Sequence, residues 1–109
     1  MIDYTPKEHG WATVTINNGT AEIAFVASHL HDSRQDLIRS VATLEKYKEA
    51  IVVFQDEPDG YVLHLEREDK YCHYTLHSFK GYNPAALCEL VLEGNISLVS
   101  YKNDIAKIK

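Results

Sequence analysis

A chain of 109 residues, 45% apolar and with a formal net charge of −5, fits one domain, residues 1–109, whose core needs no staples. No run is apolar enough to span a bilayer, and Met1-Ile2-Asp3-Tyr4 lacks the segments of a signal peptide, so a cytoplasmic protein without a membrane partner is expected. The acidic balance and scattered lysines argue against a nucleic-acid partner, and the two cysteines, Cys72 and Cys88, form no metal signature and are read as core-facing.

Residues 1–10, with Pro6 and Gly10, are expected as a loosely held lead-in. Trp11 to Ala27 reads as a hairpin. Asn18-Gly19 suits a two-residue type I′ turn, which sets Ile16 opposite Ala21, Val14 opposite Ile23 and Ala12 opposite Phe25. One face is then apolar throughout. Asp32, with Gln35 three residues on, is placed as a helix cap, and Leu37, Ile38, Val41 and Leu44 follow as one apolar stripe. The helix is expected to end near Tyr47 or Lys48.

Ala50 to Phe79 predicts a three-stranded meander. Pro58 presets a turn, and Gly60 is assigned the left-handed position that closes it. Val53 then pairs with Leu63, and at the next corner Leu65 pairs with Cys72. The inner face becomes Ile51, Val53, Tyr61, Leu63, Leu65, Cys72, Tyr74 and Leu76. The outer face carries Val52, Phe54, Val62, His64, Glu66, His73, Thr75 and His77. Asn83-Pro84 resembles a helix start, Leu87, Leu90 and Val91 a helical stripe, and Gly94 a stop. Ile96 to Tyr101 is a candidate last strand, and residues 102–109 a loosely held tail. The expected class is α+β: an antiparallel sheet of five or six strands in the order ββαβββα, with or without that last strand, backed by a helix.

No nucleophile elbow, phosphate loop or dinucleotide turn is present, so neither a catalytic residue nor a cofactor is assigned. His64 and His73, set cross-strand by this register with Glu66 diagonal, could ligate a divalent ion or act as an acid–base pair, which makes a small enzyme the alternative. No metal is assigned to them, because histidines are common on half-exposed strands. His29-Leu30-His31 is treated likewise, as a loop before a helix. The carboxylates divide into Asp56, Glu57 and Asp59 at one turn and Glu66, Glu68 and Asp69 about 20 Å away at the far end of the same strand. Together with Phe54, Tyr71, His64 and His73 they form an acidic rim around aromatic side chains, a composition suited to docking on a basic protein. A homodimer through the same face is a further alternative.

Trp11-Ala12-Thr13-Val14, Ser28 before a helix, and Glu57-Pro58-Asp59-Gly60-Tyr61 opening a strand resemble small bacterial proteins of toxin systems. The likeness covers about half of the chain, Trp11 to Tyr61, and is to immunity proteins, including those of contact-dependent growth inhibition. It implies a cytoplasmic protein that binds and blocks one cognate toxin domain, often a basic nuclease. It carries over no functional residue.

Overall fold

The computed structural model describes residues 1–29 and 31–108. Among them, seven strands and two helices run in the order β1 (Ile2–Pro6), β2 (Ala12–Asn17), β3 (Glu22–Ala27), α1 (Ser33–Tyr47), β4 (Glu49–Asp56), β5 (Asp59–Glu68), β6 (Tyr71–Phe79), β7 (Leu87–Ser97) and α2 (Leu98–Ala106). The strands form two antiparallel sheets, β1-β2-β3 and β4-β5-β6-β7. The α+β class holds, with the strands divided between two sheets. No described helix is long and apolar enough to cross a membrane.

The first hairpin keeps its predicted face but turns one residue later. Asn18 N–H donates to Ala21 O, and Gly19 alone of the central pair Gly19-Thr20 has a positive φ, the pattern of a type II′ turn. Val14 therefore faces Phe25 and Ile16 faces Ile23. A shift of two residues in register preserves which side chains point inward, so Val14, Ile16 and Phe25 are buried as expected. Within the expected lead-in, Ile2–Pro6 forms β1, paired along β2. Its start is pinned by the terminal ammonium of Met1, 3.1 Å from Asp104 on α2.

At the β4–β5 turn the difference is a single residue, and it matters more. The loop is only Glu57-Pro58, joined by a cis peptide, so Asp56 faces Asp59, Val53 faces Val62 and Ala50 faces Leu65. A one-residue slip turns a strand over. Val52 and Phe54 accordingly lie in the core, while Ile51 is 57% exposed. Gly60 sits within β5 without a positive φ, and glycine is needed there for close approach instead: a Cβ would collide with Phe54 O and the Phe79 ring. At the β5–β6 corner the shift is again two, with Leu65 opposite Tyr74 and Leu63 opposite Leu76, and both strands keep their predicted inner faces.

The last third exchanges its elements. Leu87–Ser97, expected as a helix, is the edge strand β7, and the expected last strand begins α2. Two register irregularities on β7, between its partners Leu76 and His77 and between His77 and Phe79, break the two-residue alternation and hide a strand from inspection. Gly94 faces Tyr74, whose hydroxyl occupies the space a side chain would need. Ser97 caps α2 through the Ser100 N–H, and Tyr101 and Ile105 are its buried residues. The region read as a tail is thus helical to Ala106, and Lys109 lies outside the described residues.

A single core fills the space between the sheets, with Val14, Ile16 and Phe25 on one side and Val52, Phe54, Leu63, Leu65 and Tyr74 on the other. Leu37 and Leu44 of α1 and Tyr101 and Ile105 of α2 complete it. Asp32 caps α1 as predicted, accepting from the Gln35 N–H at 2.9 Å. The buried side of α1 is Ser33, Leu37, Ser40 and Leu44, with Ile38 turned outward. Ser40 is satisfied there by the Tyr101 hydroxyl at 2.6 Å. Asp36, on the first turn, accepts from the Val53 N–H at 3.2 Å and shields the β4 edge. The opposite face of the four-stranded sheet remains open, as does that of β1-β2-β3, where Glu22, Ala24 and Val26 are exposed.

Candidate partner-binding surface

Register places the outward side chains of β4 to β7 in cross-strand rows. Glu49, Glu66, His73 and Asn95 make one row, Ile51, His64, Thr75 and Glu93 the next, and Val53, Val62, His77 and Leu90 the third. Beyond them Phe79 lies across Gly60 and is fully buried, with Leu87 beside it on β7. The face therefore grades from carboxylate to apolar along the strands. Arg67 is the sole lysine or arginine in these four strands. Its guanidinium is engaged by the carbonyl oxygens of Leu44 at 2.8 Å and Asp69 at 3.1 Å, the first at the C-terminal end of α1.

Of the residues singled out from sequence, Glu66, Glu68, Tyr71 and His73 are brought together with Arg67 and Asn95 around a groove of about 470 Å³. Tyr71, 64% exposed, also lines a second groove of about 350 Å³ with Asp69, Leu98 and Val99. It stands as a ridge between the two. Asp56 and Asp59 line a separate depression of about 220 Å³ at the opposite end of β5. Burial, and then the neighbouring Asp59 and Glu57 charges, hold the Asp56 carboxyl above its ordinary range, and Glu57 itself is exposed. Phe54 does not belong to this surface. It is fully buried, edge-on to Phe25 with ring centroids 5.3 Å apart, because of the turned strand.

The histidines are not paired as the sequence suggested. His64 faces Thr75, and Glu66 faces His73. His64 Nε2 lies 2.5 Å from Glu49, with Nδ1 3.6 Å from Glu66. His73 Nδ1 lies 3.1 Å from Asn95 Oδ1, and its Nε2 3.6 Å from Glu93. Among the described residues no group of three or more His, Cys, Asp or Glu side chains is placed to hold a metal ion. His31 pairs with Asp36 at 2.6 Å, while Leu30 between it and His29 lies outside the described residues. Cys72 is buried as expected, whereas Cys88 is exposed on β7, and both are free.

Glu49, Ile51, Leu87, Leu90 and Glu93 belong to the face and were missed. Glu49 fell outside the expected meander, which began at Ala50, and Ile51 was hidden by the inverted strand. The others were hidden by a helical assignment that the leucine spacing invited.

No family model matches the sequence, and no curated protein matches it. Among solved structures, a chain of the CdiA-CT/CdiI toxin and immunity complex from Enterobacter cloacae is similar, at a TM-score of 0.63 and 11% sequence identity over 97% of each chain. The fold is shared with a chain of a toxin and immunity complex. The likeness runs through both sheets and both helices, well beyond the stretch from Trp11 to Tyr61 that suggested it in the sequence.

Proposed function

We propose that this protein is a non-enzymatic immunity protein of the bacterial cytoplasm, binding one cognate toxin domain and blocking its activity. The observation that carries the reading is the fold shared, over nearly the whole chain, with a chain of the CdiA-CT/CdiI complex. The outer face supports it: Glu49, Glu66, Glu68 and Glu93 project from strands whose one cation, Arg67, is engaged elsewhere. Such a surface steers a basic partner, as a nuclease toxin would be, and raises its rate of association. Tyr71 supplies an exposed aromatic anchor between two grooves, the residue type that concentrates binding energy. Glu66, Glu68, Asp69, His64 and His73 surround it, and Asp56, Glu57 and Asp59 extend the acidic rim to the far end.

Co-expression with the toxin domain encoded beside this chain tests the proposal. Growth is rescued by this protein and not by an unrelated acidic protein of similar size. Unrelieved toxicity, with the protein soluble and folded in the cell, would refute it.

A further inference from the structure

Resting on the binding role proposed above, we infer that the middle of the outer face is the anchoring pocket for the partner, and that it receives an apolar side chain carried between lysines or arginines. Ile51, Val62 and Leu87, walled by His64 and His77, line an open groove of about 340 Å³. That lies at the lower end of the ~300–1,000 Å³ range of ligand pockets and suits a side chain or two. Ile51 is 57% exposed and Leu87 48%, with Leu90 at 50% in the row next to them. Single exposed apolar residues are ordinary; a group of them on one sheet face, rimmed by polar side chains, marks a contact.

Charge decides what fills it. Glu93 is in the same cross-strand row as Ile51, and Glu49 and Glu66 are in the adjoining row, about 7 Å along the strands. A side chain seated in the groove thus has carboxylates within reach of its own flanking residues. A second copy of this chain would bring an equally acidic face, and its four strands hold no lysine or arginine besides the engaged Arg67 to answer these carboxylates. The complementary occupant is a cationic segment with an apolar residue at its centre. The groove supplies burial, and the row of glutamates selects for the flanking charges.

The test uses amide-resolved NMR of the whole protein titrated with short synthetic peptides. One carries leucine between arginines, one alanine between arginines, and one leucine between glutamates. The first should shift the amides of Ile51, Val62, His64 and Leu87 and saturate. The other two should bind at least tenfold more weakly. An Ile51→Glu/Leu87→Glu variant, and separately the milder Ile51→Ala, should weaken the first peptide while the rest of the spectrum stays folded. Equal binding of the alanine peptide, or shifts elsewhere on the surface, would overturn the pocket. The same variants titrated with the neighbouring toxin domain separate the two ideas. Undiminished toxin affinity in Ile51→Glu/Leu87→Glu overturns the pocket and leaves the binding role standing. Failure of the wild-type chain to bind that domain sinks the role itself and, with it, the assignment of the pocket to that partner.

Discussion

Replacing Phe54 and Ile51 one at a time by alanine decides which way β4 faces, and every statement about the outer surface depends on that. Phe54 is fully buried and meets Phe25 edge-on with centroids 5.3 Å apart. Truncating a buried phenylalanine costs about 3–5 kcal/mol, of which the aromatic pair accounts for roughly 0.5–1.5. A domain of this size has about 5–15 kcal/mol in total, so Phe54→Ala removes a large share of it. Ile51 is 57% exposed, and its truncation should cost about 1 kcal/mol or less, mostly strand propensity. Urea unfolding measures both. At m of about 2 kcal/mol/M, Phe54→Ala lowers the midpoint by roughly 2 M and Ile51→Ala by no more than about 0.5 M. The reverse order, with Ile51→Ala the more damaging, would mean that β4 pairs one residue out of the register described and that Phe54 belongs on the surface after all.

Gly60→Ala should destabilise by about 1–3 kcal/mol or more, since the new Cβ meets the backbone oxygen of Phe54 and the Phe79 ring; a thermal midpoint within a degree or two of wild type would show that these neighbours yield freely. Asp56→Asn should stabilise the protein at neutral pH. The Asp56 carboxyl is held above its ordinary value of 3.8 by burial and by Asp59 and Glu57, so its ionisation opposes folding. That penalty is present above the raised folded-state pKa and fades as pH falls toward and below 3.8, where both states are protonated. The gain from Asp56→Asn should therefore vanish in acid, and a gain that persists unchanged at pH 3 would contradict this origin.

The parts of the fold legible from sequence are those where the turn is displaced by one residue, which moves the register by two and leaves the faces unchanged. The β2–β3 turn and the β5–β6 corner both slip in this way, and Val14, Phe25, Leu63 and Tyr74 still point inward. At Glu57-Pro58 the loop is shorter by an odd number, which exchanged Phe54 for Ile51. Turn chemistry limits loop length without fixing its parity. β7 was obscured by its bulges, which set Leu87 and Leu90 three apart and so imitate a helix. The signal for α2 was present in Leu98, Tyr101 and Ile105, spaced three and four apart, with Ser97 as the cap. It lost to a weaker alternation. β1 is short and lies at an edge, and no local signal in Ile2 to Pro6 outweighs the proline. Of the surface, the cluster of Glu66, Glu68, Tyr71 and His73 was readable because these residues flank one corner, whereas the apolar groove requires a strand register that only the folded chain displays.

Calorimetric titration of the proposed partner, a toxin domain encoded beside this chain, into this protein, wild type against a Glu49→Lys/Glu66→Lys/Glu93→Lys variant, tests the proposed binding face most directly. Wild type should form a one-to-one complex whose affinity falls with added salt, and charge reversal should weaken it by at least a hundredfold while the variant remains folded. A complex of undiminished affinity in the variant, or none with wild type, would contradict the account.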